Sequence, residues 1–340
     1  MPHKRTIPGI TMLHFAQFGA GRIGAIHAAN LAANPGARLL HVVDVNVAAA
    51  AALAQQHGAR VSDTATALAD PKVGAVIIAS STDTHADLVI AAARAGKAIF
   101  CEKPIDLSLA RVDACLAAVQ QAGVPMLVGF NRRFDPDFAE LHRRIAMGAI
   151  GQVEQVIITS RDPGPPPLSY IKVSGGLFRD MTIHDFDMAR WMLGEEPVEV
   201  FATGATLVDS AIAEAGDIDS AMILLKTASG RMAHINNSRR ASYGYDQRVE
   251  VHGSGGRLIA GNRVATTVEQ ADARAVASDK PLHFFLERYA EAYRLELATF
   301  IVAVEQSTPM PVGALDGRQA LVLADAALRS MHEGRLVRLT

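Results

Sequence analysis

The segment GAGRIG, at residues 19–24, constrains the fold of this chain more than any other feature. It follows a short, largely apolar stretch, Met12 to Phe18, and precedes a helix predicted over Ile23 to Ala33. In the spacing G-x-G-x-x-G, the first glycine allows a tight turn, the second lets the backbone approach a pyrophosphate, and the third allows close packing of helix against strand. The N–H groups and the positive end of the helix dipole then attract the anion. The residues predicted to contact such a ligand are Gly19, Gly21, Arg22, Ile23 and Gly24.

Up to residue 130, short apolar strands alternate with helices. The further strands are predicted at Arg38–Val43, Val73–Ile78, Ala98–Cys101 and Pro125–Val128, and the helices between them at Val47–Gln56, Asp83–Ala95 and Leu107–Gln121. Strands that lack strict alternation and are separated by helices indicate a parallel sheet covered on both faces. With right-handed crossovers, this predicts a doubly wound α/β domain of the Rossmann type.

Beyond Phe130 the pattern changes. The predicted elements are the helices Asp137–Met147, Gly176–Leu193, Phe284–Glu305 and Asp316–Glu333, a strand at Val153–Ser160, and several strand-like runs between Val198 and Val268. Successive strands with short turns and no intervening helix predict a C-terminal α+β domain with a large, open, mostly antiparallel sheet. We therefore predict a nucleotide-binding domain over residues 1–130 and a second domain over residues 131–340, leaving open that the last helix packs back near the first domain.

Length and composition agree with two domains and exclude some classes of partner. At about 150 residues per domain, the 340 residues suggest two domains. Lys and Arg (33) nearly balance Asp and Glu (35), so no basic excess is present to bind the phosphate backbone of a nucleic acid. The two cysteines, Cys101 and Cys115, lie in apolar patterns and are expected to be buried thiols in a reducing compartment.

The sequence also argues against a membrane or secretory location. No apolar run approaches the roughly 18 residues that a membrane span requires. The N-terminus has a basic start but neither a long apolar core nor a small-residue cleavage site, so a secretory signal is not expected. We expect a cytoplasmic protein in which residues 1 to about 11 form a short disordered extension.

Asp44 strengthens the interpretation of the glycine segment. It lies 20 residues after Gly24, at the end of the second predicted strand. An acid at this place binds the ribose hydroxyls of a dinucleotide and repels a 2′-phosphate, which favours NAD over NADP. The alternative is an N-cap or turn residue before the helix that begins at Val47.

Hydroxyl side chains follow another predicted strand. The carboxyl ends of parallel strands lie where ligands bind in such sheets, so Ser80, Ser81, Thr82 and His85 are candidate cofactor contacts. The alternatives are N-capping of the next helix by Thr82 or its neighbour, and a packed position for His85.

Glu102 and Lys103 lie at the same edge, in the run CEKP at the end of the strand Ala98–Cys101. Both are candidate cofactor contacts. A lysine there can bind a substrate hydroxyl and stabilise the alkoxide that develops from it. Its positive charge would also keep a nearby histidine neutral. The alternative is a solvated lysine at a strand end.

The run GGLFRDMTIHDFD, residues 175–187, carries the strongest indication of catalysis. Asp180 and His184 are four residues apart on a predicted helix and therefore share one face. A neutral histidine oriented by a carboxylate is a general base for an alcohol proton. The alternatives are a surface helix pair and a metal site that includes Asp185. Catalytic zinc needs three protein ligands, and since no second histidine lies at ligand spacing we expect no metal.

Four motifs together resemble a known family. They are GAGRIG, CEKP, GFNRRFDP after the last strand of the first domain, and the pattern GG-x-x-x-D-x-x-x-HD. Over nearly its whole length the chain resembles the family of glucose–fructose oxidoreductase, inositol dehydrogenase and MocA, and within it the bacterial inositol 2-dehydrogenases. The resemblance implies a Rossmann domain that binds NAD. It also implies a C-terminal domain for substrate binding and oligomerisation, whose exposed sheet face packs into homodimers or homotetramers.

The resemblance further implies an activity and residue roles. Such dehydrogenases oxidise the polyol myo-inositol at C2 to 2-keto-myo-inositol (scyllo-inosose) with NAD. Lys103, Asp180 and His184 match the catalytic lysine, aspartate and histidine of the family, and all three also face the substrate. Arg132, in NRRF, and Tyr243 match substrate-side positions. His184 would take the hydroxyl proton while Lys103 stabilises the oxygen. The sequence leaves open whether Asp180 orients His184 or shares the proton.

Two other functions remain open from the sequence. One is a dehydrogenase of another inositol isomer, a sugar or a sugar acid, which a shared fold does not exclude. The other is a regulator that binds NAD and a sugar without turnover. The presence of Lys103, Asp180 and His184 argues against a regulator, because a sensor needs no base. One departure from the family is the first strand, which carries His14 and Gln17 in place of aliphatic residues.

Overall fold

The protein is described by a computed structural model that covers residues 12–339. The extension predicted for residues 1–11 lies outside the described residues. The chain divides into two compact units. Unit 1 runs to Gly129 and also takes in Tyr293–Arg318, and unit 2 holds Phe130–Ala292 and the residues from Gln319 onward.

Unit 1 contains a six-stranded parallel sheet in the order β3-β2-β1-β4-β5-β6. Its strands and helices are β1 (Leu13–Phe18), α1 (Arg22–Ala33), β2 (Ala37–Val43), α2 (Val47–His57), β3 (Arg60–Val61), α3 (Thr64–Ala69), β4 (Ala75–Ile78), α4 (Thr82–Arg94), β5 (Ala98–Cys101), α5 (Leu109–Ala122) and β6 (Met126–Val128). Every residue of β4 and β5 is buried, as expected for central parallel strands with helices on both faces. The strand order reverses direction between β1 and β4, so the predicted doubly wound Rossmann fold is confirmed.

The long helix α12 (Ala290–Gln306) lies mostly in unit 1. The ring of Phe300 packs edge-on against Phe100 of β5, with 5.7 Å between centroids, and lies 6.2 Å from the ring of Phe15 in β1. The predicted boundaries placed every residue after 130 in the second domain, and the structure differs here. The physical reason is that these aromatic contacts bury one face of α12 on the first sheet.

Unit 2 is built on a seven-stranded sheet in the order β12-β11-β7-β10-β9-β8-β15. Strands β7 and β10 are parallel and the other neighbours are antiparallel, which confirms the predicted mostly antiparallel sheet. The strands are β7 (Val153–Arg161), β8 (Pro197–Ala205), β9 (Ser220–Thr227), β10 (Met232–Ser238), β11 (Asp246–Gly253), β12 (Gly256–Ala260) and β15 (Val337–Arg338), with a separate hairpin of β13 (Glu269–Ala271) and β14 (Val276–Ser278). The helices are α6 (Pro136–Ala146), α7 (Leu168–Ile171), α8 (Leu177–Asp180), α9 (Thr182–Leu193), α10 (Ser210–Glu214), α11 (Phe285–Arg288) and α13 (Ala314–Glu333), and a 3-10 turn spans Asn131–Phe134.

The two faces of the unit 2 sheet have different surroundings. Helix α9 packs against β7 and β10 on one face. Along β9 buried and exposed residues alternate strictly, so the opposite face of the strand is open. Exposed apolar side chains of the sheet are Ile157, Phe201, Met222, Leu224 and Met232. Exposed apolar surface of this kind is typical of a face that another protein covers.

The predicted continuous helix over Gly176 to Leu193 is wrong, because the chain breaks at Met181 into α8 and α9. Different elements contact the two pieces. The N–H of Leu177 donates to Asp217 at 3.0 Å, whereas the hydroxyl of Thr182 lies 2.7 Å from the side-chain oxygen of Asn237 in β10. The two helical pieces are therefore held by different partners, while Met181 itself keeps right-handed helical backbone angles (φ −92°, ψ −57°).

Candidate active site

The glycine loop between β1 and α1 is shaped to receive a phosphate group. Gly19 has a φ of +104°, and a Cβ there would lie 2.3 Å from the carbonyl oxygen of Ala79. A Cβ at Gly24 would lie 2.2 Å from the Gly19 carbonyl oxygen, so both positions require glycine. The Cβ position of Gly21 instead faces open space, with no described atom within 4 Å. Since Gly21 is the N-cap of α1, this space adjoins the N–H groups that attract an anion.

Gln17 explains why the first strand is not aliphatic throughout. Its side chain is fully buried, and its Nε2 donates to the carbonyl oxygens of Gly19 at 2.9 Å and of Gly24 at 2.8 Å. These bonds tie together the two ends of the glycine loop. An aliphatic side chain at this position would leave both carbonyl oxygens without that donor. The departure from the family pattern therefore supports the loop.

Asp44 is fixed beside the glycine loop. One carboxylate oxygen accepts from the N–H of Ala20 at 2.6 Å, and the other accepts from the N–H of Asn46 at 2.7 Å. The N-cap of α2 is Asn46, whose side chain accepts from the N–H of Ala49, so Asp44 is not the helix cap. Its bond to the N–H two residues further on is that of a turn residue, the other alternative, so the ribose role of Asp44 stays a prediction. The carboxylate lies where an adenine ribose next to a loop-bound pyrophosphate is expected.

The predicted hydroxyl residues lie at the end of β4. Helix α4 begins at Thr82, with Ser81 as its N-cap, and the Ser81 side chain makes no capping bond. The hydroxyl of Ser80 lies 2.6 Å from that of Thr84. These groups therefore cluster at the carboxyl edge of the parallel sheet, as predicted from the sequence.

His85 joins two strand ends at this edge. The residue is buried, with Nδ1 2.8 Å from the carbonyl oxygen of Pro104 and Nε2 3.1 Å from that of Ser80. Both nitrogens lie within hydrogen-bond distance of main-chain carbonyls, which fits the packed position that was the alternative for His85, and its role as a cofactor contact stays a prediction. These contacts adjoin Lys103, which is half-buried two residues after the end of β5.

Glu102, a predicted cofactor contact, has a buried partner. One of its oxygens lies 2.7 Å from Nε2 of His27. Glu296 on α12 is wholly buried in the same unit, and neither of its oxygens has a hydrogen-bond partner in residues 12–339. Burial, with the negative charge of Glu102 adding to it, raises the pKa of Glu296 well above its usual range. Glu102 thus belongs to a buried polar cluster beneath the strand end that carries Lys103.

In unit 2, Asp180 is the last residue of α8 and accepts hydrogen bonds from two residues that the sequence did not suggest. The hydroxyl of Tyr170 donates to Oδ1 at 2.8 Å, and Nη2 of Arg239 donates to Oδ2 at 3.2 Å. Tyr170 lies in the short helix α7, which follows the proline-rich stretch after β7, and Arg239 follows β10. Neither position has a periodic signal, so only the fold brings these donors to Asp180.

His184 lies in the first turn of α9, on the other side of the break at Met181. Its ring packs edge-on against Phe130, with 6.0 Å between centroids and 80° between planes. This contact restricts the orientation of the imidazole. The pairing of His184 with Asp180 that the spacing suggested stays a prediction.

Arg132 was predicted to contact the substrate. Its described hydrogen bonds are to other residues of unit 2. Its guanidinium donates to Asp185 and, at 3.1 Å, to the hydroxyl of Ser160. Asp185 also accepts from the side-chain amide of Asn237 at 2.8 Å. Arg132 is only 4% exposed, so this network ties the 3-10 turn and the sheet to α9. The contacts support a role in positioning α9.

Tyr243, the other substrate-side candidate, is engaged within unit 2. Its hydroxyl donates to Asp246 at 2.6 Å and accepts from Arg161 at 3.0 Å. Burial, followed by the bond to Asp246, raises the pKa of the phenol. These two bonds occupy the hydroxyl, and the structure does not add support for a substrate contact.

Asp162 is an acid that the sequence analysis did not select. It follows β7, and its N–H donates to the carbonyl oxygen of Ser238 at 2.9 Å, next to Arg239. Burial raises the pKa of Asp162 to about 7, with the positive charge of Arg239 opposing the shift and the negative charge of Asp180 adding to it. The signal that could have found it is an acid at the end of a strand, before a proline-rich loop.

We expect Asp162→Asn to weaken the pH dependence of stability. An aspartate titrates near pH 3.9 in an unfolded chain, so between there and about pH 7 the folded state binds the extra proton and the free energy of unfolding falls as pH rises. The free energy of unfolding of Asp162→Asn, taken relative to that of wild type, should therefore be higher at pH 8 than at pH 5 by about 1 kcal/mol or more. Urea unfolding followed by the fluorescence of Trp191, the single tryptophan, measures this in unit 2. Glu305→Gln, at an exposed acid, is the control, and an equal gain at both pH values would contradict the assignment.

Two negative findings hold for residues 12–339. They contain no group of three or more His, Cys, Asp or Glu side chains placed to bind a metal ion. They also contain no helix with both the length and the apolar character needed to cross a bilayer.

Two family models match this chain. The model of the oxidoreductase family with an NAD-binding Rossmann fold matches residues 13–130, and the model of the GFO/IDH/MocA C-terminal domain matches residues 138–259. The chain belongs to the GFO/IDH/MocA family. This confirms the resemblance that the four sequence motifs indicated, and NAD as the cofactor class of the first domain.

Individual relatives are similar over almost the full length. Inositol 2-dehydrogenase of Rhizobium meliloti (strain 1021) is 53% identical over 326 residues, which are 96% of this chain and 98% of the relative. Myo-inositol 2-dehydrogenase of Thermotoga maritima is 49% identical over 323 residues, 94% and 97% of the two chains. A myo-inositol dehydrogenase structure from Corynebacterium glutamicum matches with a TM-score of 0.93 and 44% identity, covering 97% and 99%. A scyllo-inositol dehydrogenase from Lactobacillus casei, with NAD(H) and scyllo-inositol bound, matches with a TM-score of 0.89 and 27% identity, covering 96% and 99%.

Proposed function

We propose that this member of the GFO/IDH/MocA family is an NAD-dependent inositol 2-dehydrogenase that oxidises myo-inositol at C2 to 2-keto-myo-inositol. The observation that carries the proposal is the 53% identity to an inositol 2-dehydrogenase over 96% of the chain. The chain also has Lys103, Asp180 and His184 at the positions where the family motifs place its catalytic groups. The oxidation removes a proton from the hydroxyl and a hydride from the same carbon.

The residues of unit 1 fit NAD. When bound, NAD accepts the hydride at C4 of its nicotinamide ring. The glycine loop offers open backbone at the N-terminus of α1, and Asp44 offers a fixed carboxylate to the ribose hydroxyls. The negative charge of Asp44 repels a 2′-phosphate, so NAD is preferred to NADP.

The three residues that match the family motifs have chemical roles in the proposed mechanism. His184 accepts the proton of the C2 hydroxyl, and a positioned general base of this kind contributes a factor of about 10² to 10⁴ in rate. The ammonium group of Lys103 stabilises the negative charge that develops on the oxygen. Asp180 provides the carboxylate that supports the base.

A rate screen tests the substrate. Scyllo-inositol differs from myo-inositol only in configuration at C2, and the structure with scyllo-inositol bound makes it the first competitor to compare. We expect the highest kcat/KM for myo-inositol with NAD among inositol isomers, common sugars and sugar acids, each assayed with NAD and NADP. A clear preference for another polyol would reassign the substrate. The absence of turnover with every compound, despite NAD binding, would favour a regulator.

We also propose that the exposed face of the unit 2 sheet is covered in a homodimer or homotetramer. Burial of apolar surface stabilises association by about 25 cal/mol per Å². Met222→Lys places a charge on this face, at a side chain that is 54% exposed. By light scattering, wild type should be a dimer or tetramer and the variant a smaller species, with Glu305→Gln, at an exposed position of unit 1, as a control. A monomeric wild type would contradict this proposal.

A cytoplasmic location is proposed from the cysteines. Cys101 and Cys115 are both buried and neither forms a disulfide. Burial raises the pKa of the Cys115 thiol to about 12, which keeps it protonated and unreactive. Free, inert thiols of this kind fit a reducing compartment.

A further inference from the structure

Arg239 is a buried cation that contacts an acid at each end of the short helix α8. Its Nη2 lies 3.2 Å from Oδ2 of Asp180 and 3.9 Å from Oδ2 of Asp217. Asp180 is the last residue of α8, and Asp217 accepts the N–H of Leu177, the first residue of α8. One guanidinium therefore links the two carboxylates that begin and end this helix.

The backbone around this cluster is fixed. The N–H of Arg239 donates to the carbonyl oxygen of Asp219 at 2.8 Å, which sets the position of the arginine. Gly176, before α8, has a φ of +84°, and a Cβ there would lie 2.9 Å from Oδ1 of Asp217. A side chain at residue 176 would thus displace Asp217. The local chain is built to bring the two acids to the guanidinium.

Because Arg239 is buried, its positive charge interacts strongly with the acids around it. Its side chain is 1% exposed, and a buried cation is costly unless acids compensate it. Removing the guanidinium would take away the buried positive charge that faces Asp180 and Asp217, with Asp162 as a third acid nearby. The other described donor to Asp180 is the hydroxyl of Tyr170, which is neutral and belongs to a side chain that is 45% exposed. A neutral donor stabilises a carboxylate about half as strongly as a charged one.

We propose that Arg239 is a positioning residue for the dehydrogenation, which holds the carboxylate of Asp180 in one place so that Asp180 orients the base. The inference rests on the proposed function. A carboxylate that accepts bonds from a guanidinium and a phenol is restricted in its rotation, as a group that orients an imidazole must be.

The test compares variants of the full-length protein in steady-state kinetics with myo-inositol and NAD. Arg239→Met should lower kcat about tenfold or more and leave KM for NAD within about twofold, because the glycine loop and Asp44 lie in unit 1. Arg239→Lys should recover part of the loss, since it restores the charge without the planar fork. Arg240→Met removes the neighbouring exposed arginine and should match wild type.

A double-mutant comparison shows whether the effect passes through Asp180. In an Asp180→Asn background, adding Arg239→Met should change kcat by less than about twofold, because the carboxylate that Arg239 holds is gone. Should Arg239→Met fail to fold, Tyr170→Phe removes only a hydroxyl from an exposed side chain and should lower kcat a few-fold without changing KM for NAD. Thermal unfolding of each variant separates a loss of fold from a loss of rate.

Three results would overturn the inference. They are an Arg239→Met kcat equal to that of Arg240→Met, a loss confined to KM, and a full additional loss in the Asp180→Asn background. Failure of the proposed function is a separate outcome. It would show in the wild type, which would then reduce no NAD with any inositol, whereas failure of this inference leaves the wild type active.

Discussion

Replacing His184 with alanine is expected to lower kcat for myo-inositol oxidation by about 100-fold or more. The reason is that no other group in the proposal takes the hydroxyl proton. The affinity for NAD should stay nearly unchanged, because the glycine loop and Asp44 belong to unit 1 and His184 to unit 2. Steady-state kinetics and calorimetric titration with NAD measure the two quantities. Added imidazole should restore part of the rate if the lost function is proton acceptance.

The control for this prediction is another histidine of the same unit. His332, near the end of α13, is exposed, and His332→Ala should leave kcat unchanged. If His184→Ala keeps the wild-type kcat, His184 is not the base. A loss of NAD affinity without a loss of kcat would equally remove it from the proton transfer.

Replacing Asp44 with serine is expected to reduce the preference for NAD over NADP by about tenfold or more. Two like charges 4 Å apart repel by about 1 kcal/mol in water and about 4 kcal/mol near a protein surface, and about 1.4 kcal/mol is a factor of ten. Serine removes the charge that opposes a 2′-phosphate and also the acceptor for the ribose hydroxyls. The ratio of kcat/KM for the two cofactors, measured at saturating myo-inositol, reports the change.

Asp44→Asn separates charge from loop geometry. It keeps the size of the side chain and one oxygen that can accept from the N–H of Ala20, where the carboxylate now accepts at 2.6 Å. If repulsion sets the selectivity, both variants gain activity with NADP. A gain in Asp44→Ser alone would assign the effect to the loop, and an unchanged preference in both would show that Asp44 is not the ribose acid.

The fold of the first domain was predictable because the sequence patterns that specify it are local. A glycine segment between a strand and a helix, followed by alternating elements, specifies a parallel sheet almost without tertiary information. The assignment of α12 to unit 1 was not predictable in this way. It depends on Phe300 meeting Phe15 and Phe100, residues that are distant in the chain. A helix periodicity identifies an apolar face and does not say which sheet that face covers.

The break at Met181 shows the same limit at the site. The residues on both sides of it suit a helix, and the contacts of the two pieces with Asp217 and Asn237 come from other elements, which no local pattern indicates. Asp44 and Lys103 could be selected from the sequence because the end of a parallel strand has a known functional meaning.

No comparable rule identifies from the sequence the residues that donate hydrogen bonds to Asp180. Tyr170 lies in the four-residue helix α7 and Arg239 directly after β10, and the fold alone brings them to one carboxylate. The same holds for the hydrogen bonds that His85 and Arg132 make with neighbouring groups. A sequence position shows that a polar group is near the site, but only packing shows whether a neighbouring backbone or side chain already occupies it.

Isotope transfer from the substrate tests the central claim most directly. Myo-inositol carrying deuterium on C2 is incubated with the protein and NAD, and the products are examined by mass spectrometry. The account predicts 2-keto-myo-inositol together with reduced nicotinamide that carries the deuterium. Unlabelled reduced nicotinamide, or an inositol oxidised at another carbon, would contradict it.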